Sequence, residues 1–370
     1  MKKSAALLLV FAMLLSLMAC GAENQPSAVS DPGNTPAIES PSGDNDYEYP
    51  IMTFDLACQV SDPASTSDFN VDGRAVAKFS ELVAERSGGN IEIVGYYGNV
   101  LGADAAGVVL DGGADIGYYS ITSNFAPLAS CFNLPGLITD LDMAWDLMQT
   151  DGELYKLFYN VVNDAGFVLL SGSAGCMRQF FNNTREVHLP EDMTGMNVRV
   201  YTDNTVQAFF SALAIPVTLP ASELYTGMST GTLDGLEFVD TAFITRSLHE
   251  VTKYYTDLNW QWQFNPFFFM SQEVYDTLDP QVIALLEECA AEAAEWHYLE
   301  SKVQSDAAVA EMESAGMVIT KLTPEERAAW AEFSESLYDE LADKIGPGAA
   351  ELIQQIKEIT NAYKADHGLS

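Results

Sequence analysis

From Asp279-Pro280 to about Ser314 the chain reads as one helix, with the aspartate as N-cap and the proline at the first helical position. At 1.5 Å of rise per residue such a run is roughly 50 Å long, more than the width of a small domain. A helix of that length is expected to cross both halves of a two-lobed molecule. The rest of the sequence supplies the halves. Short apolar runs alternate with amphipathic helical stretches, the mark of α/β architecture. Strands are expected over 54–60, 91–97, 115–120 and 167–171. Among them lies a helix in which Val76, Phe79, Leu82 and Val83 recur at helical spacing before Gly88-Gly89 stops it, and two more helices follow over about 140–150 and 153–165. A second α/β set begins beyond Gly175, with strands over 196–201 and 236–239 and helices over 204–213 and 222–230. Pro324 and Gly346-Pro347 punctuate two further helices after the long one. No repeat of solenoid or propeller length is visible.

The first residues speak of destination. Lys2 and Lys3 precede an apolar stretch from Ala5 to Met18, which has the n-region and h-region of a secretory signal and is too short to span a bilayer. Leu17-Met18-Ala19-Cys20-Gly21 resembles a bacterial lipobox, which makes 1–19 a signal peptide and Cys20 a lipidated first residue; an ordinary signal with a chance cysteine is the alternative. Residues 21–50 hold five prolines and six acids and no lysine or arginine, so 20–50 is expected to be a disordered acidic tether to the outer face of a membrane.

Without residues 1–19 the chain has 15 basic against 53 acidic residues, a balance that repels polyphosphates and anionic headgroups. Nucleic acid is excluded as a partner, and membrane contact is expected through the lipid anchor only. Local charge in a cleft still overrides a distant field at physiological salt, where the Debye length is about 8 Å. Cys58, Cys131, Cys176 and Cys289 show no C-x-x-C spacing, and their redox state stays open, with buried small hydrophobes the favoured role.

Signatures of chemistry are missing. Ser171-Gly172-Ser173-Ala174-Gly175 approaches a nucleophile elbow but has serine where the first glycine belongs. There is no P-loop and no G-x-G-x-x-G turn, and the four histidines, His188, His249, His297 and His367, lack metal spacing. No catalytic residue, cofactor or metal is expected. The run Gly195 to Tyr201 is more telling: as a strand it places Met196, Val198 and Val200 on one face and Asn197, Arg199 and Tyr201 on the other. An arginine at the C-terminal end of such a strand lies near the crevice where open α/β sheets bind ligands, and its guanidinium matches a carboxylate. From these residues alone a structural ion pair or a solvated arginine is the better reading.

Read together, the segments shift that balance. Ala77-Lys78-Phe79-Ser80-Glu81-Leu82-Val83 running to Ser87-Gly88-Gly89, then Leu101-Gly102, Met177-Arg178-Gln179-Phe180, Gly195 to Val200, Ser222-Glu223-Leu224-Tyr225-Thr226 and Gly231-Thr232-Leu233-Asp234-Gly235-Leu236-Glu237 follow one another in a known order. Over 51–300 the chain thereby resembles the substrate-binding proteins of tripartite ATP-independent periplasmic (TRAP) transporters, the DctP-like family. The resemblance implies a two-lobed, periplasmic-binding-protein-like (Venus flytrap) fold that closes on a small organic acid and delivers it to a sodium-coupled permease of small and large subunits. It implies that Arg199 pairs with the ligand carboxylate and Arg178 is a second arginine, for which a lobe-stabilising ion pair is the alternative. Gln59, Tyr118, Ser120, Glu237, Phe238 and Trp262 match positions that line the cleft in the family. Lobe I is expected over 51–175 plus about 263–295 and lobe II over 176–262 plus about 296–365, with hinges near 171–176 and 261–266.

Two departures bear on the ligand. Many members continue Asp-Gly-Gln-Glu-Asn-Pro where this chain has Asp234-Gly235-Leu236-Glu237-Phe238-Val239, and Ala103-Asp104-Ala105-Ala106-Gly107 offers little to a hydroxylated solute. An apolar or aromatic ligand body is expected, although Trp260, Trp262 and Phe264 also read as core. The rival functions are a lipid-anchored receptor feeding a signalling partner, the binding protein of an ATP-driven importer, and an extracellular hydrolase.

Overall fold

The computed structural model describes residues 47–369 apart from 66–67, 202–203 and 264. The signal sequence, Cys20 and residues 20–46 of the expected tether lie outside the described residues, and its last residues, 47–50, are described: Tyr49 packs against the first sheet's core and its carbonyl oxygen accepts from Asn90 Nδ2 at 3.0 Å, so the end of the expected tether belongs to the folded part. From Glu48 onward the chain forms one unit built on two sheets.

The strands, in chain order, are β1 (Met52–Cys58), β2 (Ile91–Tyr96), β3 (Ile116–Tyr119), β4 (Phe167–Leu169), β5 (Cys176–Asn182), β6 (Asn197–Val200), β7 (Ile215–Thr218), β8 (Gly235–Phe238), β9 (Tyr254–Gln263), β10 (Phe267–Ser271) and β11 (Val318–Lys321). The first sheet runs β2-β1-β3-β10-β4 and the second β11-β9-β5-β8-β6-β7. In the first, β1 is parallel to both β2 and β3, with Leu56 beside Ile116, while β10 runs antiparallel between β3 and β4. In the second, β6 is parallel to β7 and β8, placing Arg199 beside Val217 and Leu236, and β5 is antiparallel to β8 and β9.

The chain passes from the first sheet to the second between β4 and β5, and back between β9 and β10. These two passages touch. Gly175 sits at φ +59°, and a Cβ there would lie 2.1 Å from the Gln263 carbonyl oxygen and 2.3 Å from that of Asn265, so any side chain would force the passages apart.

The long helix, Pro280–Ser314, has 35 residues, and its Asp279 cap accepts from the Gln281 N–H at 2.8 Å. It enters two cores. Val282, Leu286, Cys289 and Ala293 join Leu56, Phe79 and Phe268 under the first sheet, whereas Ala308 and Met312 join Phe181, Phe243 and Tyr255 under the second. The first contact includes the helix Val71–Arg86 and the second the short helix Asp240–Thr245. One rigid rod therefore ties the two halves at separate places, as its length requires. A third cluster centres on Trp260, whose ring meets those of Phe209, Phe210 and Trp330 at 5.0, 5.4 and 5.4 Å.

The structure adds strands to the sequence reading both inside the sheets, where β5 and β10 were not expected, and at their edges. β7 and β11 are four-residue strands with partly exposed residues, too short to show a period of two. After Pro324 there are three helices, not two: Pro324–Glu335, Tyr338–Ile345 and Ala349–His367. The first break falls at Ser336-Leu337, where neither glycine nor proline announces it. All four cysteines among the described residues are free thiols, and burial pushes those of Cys58, Cys131 and Cys289 up to about 12.

Candidate functional site

A cavity of about 520 Å³ opens between the two sheets. On the second sheet Val198 and Val200 are fully buried, which leaves Arg199 on the strand's other face. Arg199 lines the cavity while only 7% exposed. Its Nε donates to the Leu219 carbonyl oxygen at 3.2 Å, and no carboxylate lies within ion-pair distance of it among the described residues. Burial holds its pKa below the usual arginine value, and the neighbouring Arg178 charge adds to that against the pull of Glu237. A buried cation without a counter-ion is costly, and an incoming anion removes the cost.

Arg178, on β5, is equally buried but committed. Its Nε donates to Glu237 Oε2, its Nη1 to Gln263 Oε1 at 2.7 Å and its Nη2 to the Glu237 carbonyl oxygen at 3.3 Å. The rings of Tyr201 and Phe238 lie 5.3 and 5.9 Å from its guanidinium carbon. Burial lowers its pKa, but the Glu237 charge and hydrogen bond outweigh that and raise it. Arg178 is ion-paired to Glu237 and also lines the cavity.

The remaining expected residues divide. Gln59, Ser120 and Phe238 line the cavity with the two arginines, and Gln59 Nε2 donates to the Ala103 carbonyl oxygen at 2.8 Å. Tyr118, Glu237 and Trp262 do not. Tyr118 faces the opposite side of β3, buried against the Phe268 ring at 4.4 Å, because alternate residues of a strand point to opposite faces. Its neighbour Tyr119 takes the cavity position and ends the strand at φ +144°, a backbone conformation that side chains rarely adopt. Glu237 is fully buried beneath the cavity as the counter-ion of Arg178. Trp262 is core, its indole N–H given to the Ala174 carbonyl oxygen.

Sequence reasoning missed several lining residues. Tyr201 shares the Arg199 face of the β6 segment, a signal that was available; its hydroxyl accepts from Asn133 Nδ2 at 2.6 Å. Arg246, just beyond the helix Asp240–Thr245, and Asp72, in the first turn of Val71–Arg86, had none. Beside the rings of Phe69, Tyr119, Tyr201 and Phe238, the lining carries Asn70, Thr122, Asn124 and Asn133, polar groups that the sequence reading did not name.

The profile of the bacterial extracellular solute-binding proteins, family 7 (DctP), matches residues 64–345. The chain belongs to that family. It is 28% identical over 295 residues to the C4-dicarboxylate-binding periplasmic protein DctP of Rhodobacter capsulatus, covering 78% of this chain and 86% of that one. With the 2,3-diketo-L-gulonate-binding periplasmic protein YiaO of Escherichia coli it shares 26% over 306 residues, 80% of this chain and 90% of the other. Among solved structures, a TRAP periplasmic solute-binding protein from Ochrobactrum anthropi superposes with a TM-score of 0.76 at 28% identity, covering 86% of this chain and 97% of its own. The family-7 chain is thus a TRAP-type extracytoplasmic solute receptor and not an enzyme, with the two-lobed fold of its relatives. No helix among the described residues is long and apolar enough to cross a membrane.

Proposed function

We propose that this receptor captures a small organic acid through Arg199 and hands it to a sodium-coupled TRAP permease of small and large subunits. The observation that carries the reading is Arg199 itself: a buried guanidinium lining a cavity with no carboxylate partner among the described residues. Arg178, neutralised by Glu237, orients the cleft and holds Gln263 in place. Gln59, Ser120 and Phe238 complete the contact set, while Tyr118, Glu237 and Trp262 act from behind the cavity wall. Closure is the mechanism: an acid that touches both walls stabilises the closed form over the open one. The passages at 171–176 and 261–266 serve as hinges, lobe I comprises 51–175 plus about 263–295, and lobe II 176–262 plus about 296–365. Lipidation of Cys20 and a tether over 20–46 keep the receptor at the outer face of the membrane.

A thermal-shift panel of mono- and dicarboxylic acids, sugar acids and the corresponding amides tests the reading. An acid at 100 times its Kd raises stability by about 2.7 kcal/mol. The acids are expected to shift the melting temperature and their amides are not. A neutral amide that shifts it as far as its parent acid defeats the carboxylate assignment.

A further inference from the structure

Asp72 is the one carboxylate among the described residues that line the cavity, set against the arginines Arg178, Arg199 and Arg246. It stands in the first turn of Val71–Arg86, on the first sheet's side of the cleft, whereas Arg199 stands on the second. An acid in a first helical turn is ordinarily a surface device that complements the helix dipole. Asp72 is placed otherwise. Its side chain is 29% exposed, and its Oδ1 lies 2.8 Å from Nε2 of His297, a histidine on the long helix whose side chain is 3% exposed. This contact fixes the carboxylate from behind. Its second oxygen has no hydrogen-bond partner among the described residues. The charge also reaches into the cleft, where it helps to hold the acidity of Tyr119 and Cys176 down, after burial itself.

A carboxylate accepts hydrogen bonds and donates none, so a bare dicarboxylate or fatty acid would meet it with repulsion or with nothing. We propose that Asp72 selects acids that also carry a hydrogen-bond donor, a hydroxyl or an ammonium group, on the carbon chain. This rests on the carboxylate reading of Arg199 and adds a second point of attachment. The donor of the ligand is seated on Asp72 and its acid group on Arg199, so one molecule bridges the two sheets. His297 is a positioning residue that holds the Asp72 rotamer.

The test uses matched acids that differ only in the donor: succinate with L-malate and L-aspartate, and 3-phenylpropionate with L-phenyllactate and L-phenylalanine, titrated calorimetrically into the full-length protein. The donor-bearing member of at least one set is expected to bind about tenfold or more tightly than its plain partner, as for a hydrogen bond to a charged group. Whether the hydroxyl or the ammonium member wins identifies the donor. In Asp72→Asn, whose amide keeps the shape and loses the charge, the preference is expected to collapse while the plain acid binds as well as before or better. His297→Gln is expected to blunt the preference without removing it. If plain and donor-bearing acids bind the parent equally, or if Asp72→Asn keeps the preference, the assignment of Asp72 fails while Arg199 stands. If no acid of either kind binds, the carboxylate reading fails and takes this one with it.

Discussion

The two walls of the cleft are made of different chemistry. The wall built on β5, β6 and the segment after β8 carries Arg178, Arg199 and Arg246, while the facing wall, from β1, β3 and the start of Val71–Arg86, carries Gln59, Ser120, Asp72 and a run of hydroxyls and amides. On the proposed reading, cations on one wall only give an acid one place to land. Charge attraction is long-ranged and tolerant of geometry, whereas a hydrogen bond forms only at 2.7–3.2 Å with good alignment. The cationic wall is therefore suited to capture in the open state. Under the proposed closure, the polar wall would report on shape only once the halves have come together. A chain with 53 acidic and 17 basic residues gathers its cleft cations at the one place where they count.

Within the cationic wall the two buried arginines differ in a way that mutation separates. Arg178→Ala strands Glu237, fully buried and with one oxygen already unpartnered among the described residues, and is expected to cost about 3–5 kcal/mol of folding stability. Arg199→Ala strands no charge, only the Leu219 carbonyl oxygen; it removes a buried cation that has no ion-pair partner among the described residues and is expected to leave folding near the parent or above it. Affinity should behave in reverse, with Arg199→Ala losing about 2–5 kcal/mol of binding to whichever acid gives the largest thermal shift. Denaturant melts and calorimetric titrations of both variants check the pair. A stability loss at Arg199 as large as that at Arg178 would make the two arginines equivalent and dissolve the distinction.

The cationic wall also has an acid behind it. Asp240 begins the helix whose next residue, Thr241, lines the cavity; its Oδ2 accepts from Ser305 Oγ on the long helix, and the Tyr255 hydroxyl also lies against the carboxylate. Burial pushes this carboxyl up to about 7, with the Ser305 hydrogen bond opposing and the Asp257 charge adding. In the unfolded chain an aspartate titrates near 3.9, so between about pH 4 and 7 the folded state holds the extra proton. The stability due to this group is then fully present below about pH 4, is lost as pH rises through about 7, and changes no further above that. Asp240→Asn removes the dependence while keeping an oxygen for Ser305. Relative to the parent, the variant should gain in melting temperature between pH 5 and pH 8, by a few degrees at about 2–4 °C per kcal/mol. A parallel pH profile for the two proteins would show that the group titrates normally.

How much of this was legible beforehand follows from what each signal depends on. The long helix could be read because its cap, its proline and its apolar spacing are local, and its two cores follow from length alone. Strand alternation set Arg199 on the face away from Val198 and Val200 but by itself favoured an ion pair or a solvated side chain, and only the family resemblance pointed to the cleft; the same alternation should have rejected Tyr118 in favour of Tyr119, since β3 is bounded tightly enough to set its faces. Trp262 and Glu237 failed for another reason: position in a segment says which strand approaches the cleft but not which side chain turns away from it, and the partner that buries Glu237 is 59 residues distant. Asp72 and Arg246 carried no motif. Their role arises only when a helix start and a helix end are brought to the same opening.

Arg246 is expected to matter least, and in a manner that marks the rim of the cationic wall. It is exposed, with its guanidinium carbon 5.5 Å from the Phe238 ring centroid, and it makes no ion pair among the described residues. An exposed charge is worth about 0.2–1 kcal/mol to a partner, so Arg246→Gln should weaken acid binding about two- to fivefold. The loss should fall mainly on the association rate, because a rim charge steers the encounter more than it holds the complex. It should also shrink as salt is raised from about 0.05 to 0.5 M, over which the Debye length contracts to a few ångströms. The contribution of Arg199, shut away from the ions, should persist. A salt-independent loss at Arg246 would place its guanidinium against the bound acid and extend the landing site from the floor of the cleft to its mouth.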